Sequence, residues 1–64
     1  MDNEIVGRSY VATGAPSSVW VVTDEVGKGM KVPHVRLLKS GEPSTTKLIA
    51  LTVLQDDRFY RMVE

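Results

Sequence analysis

The stretch VWVVTDEV, residues 19–26, decides the fold class of this 64-residue chain. It combines β-branched valines with the only Trp of the sequence, and such residues suit the pleated surface of a strand better than a helix. The same preference runs through the whole chain, because Val, Ile and Thr make up 17 residues whereas Ala and Leu together make up 8. The composition therefore predicts an all-β domain.

Turn signals on both sides of this stretch separate it from four further predicted strands. Gly and Pro contribute 5 and 3 residues, and their spacing leaves little room for a long helix. The fourth strand is apolar on both faces except at Thr52, which favours a central position in the sheet. A tight turn is expected at residues 55–58. The predicted strands are residues 8–13, 19–26, 34–39, 47–54 and 59–63.

Periodicity leaves two points of this interpretation open. Residues 57–64 fit either the end of a turn and a short strand, or a helical turn and a half with Phe59, Met62 and Val63 on one face. Trp20 lies on a strand whose two faces are both apolar, so its side chain faces either the core or the solvent. A core position is typical of a single Trp in a domain of this size.

Length and composition limit the classes to which the protein belongs. The chain accommodates a short N-terminal arm at residues 1–6 and one small domain at residues 7–64. With no Cys it has no disulfide, no thiolate zinc site and no cysteine nucleophile. The longest apolar runs span four residues, against about 20 for a membrane-spanning helix. Asp2 and Glu4 have the wrong sign for a secretion signal, so we expect a cytoplasmic protein that does not bind membranes.

Five strands with regular turns favour a small barrel, because closure removes exposed strand edges. Gly7 precedes the first strand, Trp20 lies in a long second strand, and a tight turn precedes a short last one. This order resembles the SH3-like small barrels, a group that includes the Tudor, KOW and bacterial SH3-type modules, and it is also similar to small bacterial proteins. The resemblance implies a five-stranded barrel over residues 7–63 and a binding role. It assigns no ligand, since this fold hosts nucleic-acid binders, peptide binders and subunit-interface modules.

Catalytic and metal-binding motifs are missing from the sequence. His34 is a general-base candidate by residue type, but no nucleophile motif such as G-x-S-x-G accompanies it. The G-K-G of residues 27–29 lacks the spacing and the following Ser or Thr of a phosphate-binding loop. Asp56, Asp57 and Glu64 lack calcium-loop spacing. We therefore expect a non-enzymatic protein without a metal or cofactor.

Charge is distributed unevenly along the chain, although its formal net charge is zero. Residues 26–47 carry +4, residues 1–25 carry −3 and residues 48–64 carry −1. A local basic patch can follow phosphate groups even in a neutral protein, and neighbouring aromatic rings can stack on bases. The competing interpretation is an ordinary solvated face. The predicted binding residues are Lys28, Lys31, His34, Arg36, Lys39 and Tyr60.

Two functions fit these features. The first is a small binding module for nucleic acid or nucleoprotein that uses the basic segment. The second is a protein–protein or homo-oligomer module that uses an exposed strand edge and apolar residues such as Met30 and Met62. Balanced charge and polar turns predict a monomer or a weak dimer. Salt separates the two functions, because phosphate contacts weaken steeply as ionic strength rises.

Overall fold

A computed structural model describes residues 5–27, 29 and 31–63 of the chain. Neighbouring strands in these residues are all antiparallel, which confirms the all-β prediction. Within the described residues, no helix has the length and apolar content needed to cross a membrane. The elements are β1 (Ser9–Ala12), β2 (Ala15–Val26), β3 (His34–Lys39), β4 (Glu42–Ala50), the helical turn α1 (Leu51–Leu54) and β5 (Tyr60–Val63).

The strands form one sheet in the order β4-β3-β2-β1-β5. Within the described residues, β4 and β5 each pair on one side only, so the hydrogen-bonded sheet is not closed. The prediction of a central fourth strand is therefore wrong, because β4 is an edge. The middle position belongs to β2, whose 12 residues pair with both β1 and β3.

The chain leaves β4 earlier than the sequence predicted. Residues 51–54 form α1 instead of the end of a strand, with the amide of Leu51 donating to the carbonyl oxygen of Pro33 at 2.9 Å. This turn buries Leu54 against the core. Four residues of which only Thr52 is polar carry no periodicity that separates a helical turn from a strand. The strands β2 and β4 also begin earlier than predicted, at Ala15 and Glu42 rather than at residues 19 and 47.

The C-terminal segment is a turn followed by a strand. The amide of Phe59 donates to the carbonyl oxygen of Asp56 at 2.9 Å and thereby closes the turn. The strand β5 then pairs with β1. The strand interpretation of this segment is therefore confirmed and the helical one is wrong.

One face of the sheet carries the core. Residues opposite each other on neighbouring strands share a face, and the pairs Tyr10–Trp20 and Val22–Leu37 mark this inner face. Trp20 is thus a core residue. Ile5, which the sequence placed in an N-terminal arm, also packs here, and residues 1–4 lie outside the described residues. The buried residues are Ile5, Tyr10, Trp20, Val22, Val35, Leu37, Leu54 and Tyr60.

Candidate functional site

The two predicted basic residues of β3, Arg36 and Lys39, lie on opposite faces of the sheet. Arg36 lies on the outer face, where its Nη1 donates to Oδ2 of Asp24 at 2.8 Å. Lys39 lies opposite Trp20 in the β2–β3 register, and its Nζ is 3.6 Å from Oε2 of Glu42. Both cations therefore have a carboxylate partner. The sequence did not reveal these pairs, because the β2–β3 register and a tight β3–β4 turn create them.

The other predicted site residues that the structure describes do not meet at one place. His34 lies on the same face of the sheet as Arg36. A hydrogen bond of 2.8 Å joins its Nδ1 to the carbonyl oxygen of Val32. Lys31 is exposed in the loop before β3, and Lys28 lies outside the described residues. Tyr60 is buried on the inner face, at the edge strand β5. The structure thus brings His34 and Arg36 together and separates them from Tyr60.

An open cleft of about 350 Å³ lies where β1 and β5 meet the end of α1. The β1–β5 register places Tyr10 opposite Met62 and Ala12 opposite Tyr60, so both tyrosines share the inner face. The turn after α1 brings polar side chains to the rim. The lining residues are Tyr10, Leu54, Gln55, Asp57, Tyr60, Arg61 and Met62.

Two tyrosines, Tyr10 and Tyr60, are among the residues that line this cleft. Tyr10 and Tyr60 are only 7% and 8% exposed, yet neither hydroxyl has a hydrogen-bond partner among the described residues. A buried polar atom without a partner is costly, and the described part of the chain contains no such side-chain atom. Both hydroxyls therefore reach the solvent while their rings are held in the core.

The two adjacent aspartates Asp56 and Asp57 differ in their hydrogen-bond partners. Asp56 accepts hydrogen bonds from the side chain and the backbone amide of Arg58, with Nη2 at 2.8 Å from Oδ2. These hydrogen bonds lower the pKa of Asp56 to about 2. Asp57 lines the cleft, and its carboxylate has no hydrogen bond or ion pair within the described residues. Asp56 therefore holds the turn, whereas Asp57 is available to a ligand.

Lys47 links the two edges of the sheet across the inner face. Its Nζ lies 4.2 Å from the ring centroid of Trp20 and 5.3 Å from that of Tyr60. An ammonium group is attracted to an aromatic face within about 6 Å. Because Lys47 belongs to β4 and Tyr60 to β5, this side chain bridges the strands that backbone hydrogen bonds leave unpaired. The sequence analysis missed this contact, since no local pattern relates these three positions.

Comparisons with protein-family models, with curated proteins and with solved structures find no match to this chain. Within the part of the chain that the structure describes, no group of three or more His, Cys, Asp or Glu side chains is placed to hold a metal ion. The cleft between β1, β5 and α1 is thus the candidate site.

Proposed function

We propose that this chain is a small protein-binding module whose cleft receives an extended segment of a partner protein. The supporting observation is the pair of tyrosines that line the cleft, each more than nine-tenths buried and each with a hydroxyl that has no hydrogen-bond partner among the described residues. Rings that are already fixed by packing lose little conformational entropy when their hydroxyls bind. Tyr is also among the residues that supply most binding energy at protein interfaces.

The shape of the cleft favours a chain segment over a small molecule. Small-molecule sites enclose most of the ligand surface, about 70–90%, whereas this cleft is open to solvent. Its apolar lining comes from Leu54 and Met62, and its polar rim from Gln55, Asp57 and Arg61. An extended peptide fits such a site because its apolar side chains can enter while its backbone continues into solvent.

The strand edges are poorer candidates for binding a partner. The edge strand β4 contains Pro43 and directs Lys47 to the inner face, and β5 has only four residues. Proline, inward-pointing charge and short length all oppose the addition of another strand. The sequence analysis predicted an interaction surface at a strand edge, and we propose the cleft as that surface instead. Met62 belongs to it, and Met30 lies outside the described residues.

Nucleic-acid binding has weaker support from the geometry. Arg36 and Lys39 each have a carboxylate partner, and stacking on bases requires exposed ring faces. The rings of Trp20 and Tyr60 are buried, and Lys47 stands over both. This alternative predicts that the chain binds oligonucleotides and that the binding weakens steeply as the salt concentration rises.

We also propose that the fold is a partly open relative of the SH3-like barrels. The antiparallel five-stranded order and the helical turn before the last strand support this proposal. The bridge from Lys47 to Tyr60 adds a side-chain contact between β4 and β5. A solved structure in which these two strands lie far apart would contradict it.

An array of short synthetic peptides tests the cleft as a protein-binding site. We expect the chain to bind a subset of peptides and the double variant Tyr10→Phe/Tyr60→Phe to bind them about tenfold or more weakly, because it loses two hydrogen bonds and keeps both rings. Lys31→Gln is the control, since Lys31 is exposed and does not line the cleft. Equal binding by the double variant would exclude the cleft. Binding to oligonucleotides alone would favour the basic segment.

A further inference from the structure

The residues that line the cleft at the end of α1 carry acceptor oxygens that no donor of the described chain uses. The Asp57 carboxylate has no hydrogen bond or ion pair within the described residues. The carbonyl oxygens of Leu54 and Gln55 accept no hydrogen bond there either, since the last carbonyl groups of a helical turn have no partner inside it. These three lining residues therefore provide one full negative charge and two carbonyl oxygens that are free to accept hydrogen bonds.

The negative charge of Asp57 is not balanced by its neighbours in the sequence. The neighbouring Asp56 holds Arg58, with Nη2 at 2.8 Å from Oδ2, so these two charges cancel. Arg61 also lines the cleft, but it follows Tyr60 directly in β5. Successive side chains of a strand leave it on opposite faces, so Arg61 is directed away from the face that carries Tyr60.

Two further cations of the inner face make their contacts elsewhere. The Nζ of Lys47 lies 5.3 Å from the ring centroid of Tyr60, and Nη1 of Arg8 donates to Sδ of Met62 at 3.4 Å. Neither cation contacts Asp57 within the described residues. The carboxylate at the α1 end of the cleft is therefore left for a cation that the bound partner supplies.

Complementary charge decides which partners bind and in which register they bind. Lys and Arg side chains bring several donors and no acceptor, and their charged hydrogen bonds to a carboxylate are stronger than neutral ones. We infer that the segment received by the cleft carries a Lys or Arg side chain that binds the Asp57 carboxylate. The inference rests on the proposed function, to which it adds the residue type that the partner presents.

A peptide array made in matched versions tests this inference. Every sequence of the array is synthesised with Lys, with Gln or with Glu at one central position and with no other charged side chain. Among the sequences that bind, we expect the Lys version to bind about fivefold more tightly than the Gln version, which is the effect of one solvent-accessible charge pair. The Glu version should bind most weakly, and added salt should reduce the Lys preference.

Two substitutions connect the preference to Asp57, which is exposed and loses no contact of the described chain when it is replaced. Asp57→Asn should bind the Lys and Gln versions equally, and Asp57→Lys should prefer the Glu version. The matched control is Glu42→Gln, because Glu42 is also exposed and does not line the cleft. This control removes the same charge and should keep the Lys preference. Circular dichroism of each variant verifies that the fold is retained.

Failure of this inference differs from failure of the proposed function. Equal binding of the three versions, or a Lys preference that Asp57→Asn retains, would overturn the inference. Binding that still depends on Tyr10 and Tyr60 would in that case continue to support the cleft as the site. If no sequence binds, or if Tyr10→Phe/Tyr60→Phe binds every sequence as tightly as the native chain does, the proposed function is wrong and the inference fails with it.

Discussion

Replacement of Lys47 by Gln tests whether a side chain ties the two edges of the sheet together. The variant removes the ammonium group that stands 4.2 Å from the Trp20 ring centroid and 5.3 Å from that of Tyr60. Cation–π contacts contribute about 0.5–1 kcal/mol at exposed sites and about 2 kcal/mol when desolvated. The Trp20 contact is close and partly buried, while the Tyr60 contact is near the limiting distance, so we expect a loss of about 1–2 kcal/mol.

That loss is large for a domain of this size. At about 0.05–0.15 kcal/mol per residue, the whole chain has a free energy of unfolding of about 3–10 kcal/mol. The melting temperature of Lys47→Gln should therefore fall by about 5–15 °C. Lys47→Arg should retain most of the stability, because a guanidinium also stacks on aromatic faces.

Urea unfolding followed by tryptophan fluorescence measures this effect directly. Trp20 is the only Trp in the chain, so the signal reports on the ring that Lys47 covers. The control is Lys31→Gln, which removes an exposed lysine that has no partner in the described part of the chain. If the midpoint falls while the slope of the free energy of unfolding against urea concentration is unchanged, the substitution has lowered the stability and has not changed the unfolded state. Equal free energies of unfolding for Lys47→Gln and Lys31→Gln would refute the edge-to-edge link.

Three further predictions concern the core, a turn and an ionisable group. Leu37 is fully buried, whereas Leu48 is 51% exposed. Leu37→Ala should therefore lower the free energy of unfolding by about 2–5 kcal/mol, and Leu48→Ala should lower it by less than about 0.5 kcal/mol. Equal losses in urea unfolding would contradict the assignment of the inner face. Gly41, in the turn between β3 and β4, has a φ of +88°, whereas Gly14 has no positive φ. Gly41→Ala should therefore lower the free energy of unfolding by about 1 kcal/mol, and Gly14→Ala should not lower the melting temperature. Because the hydrogen bonds from Arg58 lower the pKa of Asp56 from 3.8 to about 2, the stability from this contact should be fully present above pH 4 and lost as the pH falls through about 2. NMR titration of the Asp56 carboxyl should show that midpoint, and an unchanged midpoint in Arg58→Gln would disprove the cause.

Strand positions were predictable where the sequence carries β-branched residues bounded by turns. The third strand, residues 34–39, agrees with β3, and the predicted second strand forms most of β2. The prediction was wrong at residues 51–54, where the structure has α1. The hydrogen bond between Leu51 and Pro33 and the burial of Leu54 decide that point. Both depend on contacts with residues that are distant in the sequence.

The candidate site was much less predictable than the strands. Tyr60 was singled out from the sequence, but as a partner of basic residues that lie elsewhere in the structure. Tyr10, which shares the cleft with Tyr60, is 50 positions away in the sequence. Charge counting left open whether Arg36 binds phosphate or pairs with an acidic residue of the flanking segments, and the β2–β3 register supplies Asp24 as its partner. A count of charges along the chain contains no information about register.

The sequence by itself determined the all-β class, the five strands and the absence of cysteine chemistry, because β-branching, turn residues and composition act locally or need no structure at all. Only the tertiary structure decided which strands are edges, which tyrosines line the cleft and which cations are neutralised. Each of these follows from antiparallel pairing, which brings distant residues to the same face or to opposite faces of the sheet. A shift of one residue in that pairing exchanges the two faces of a strand, so the cleft exists only once the register is formed.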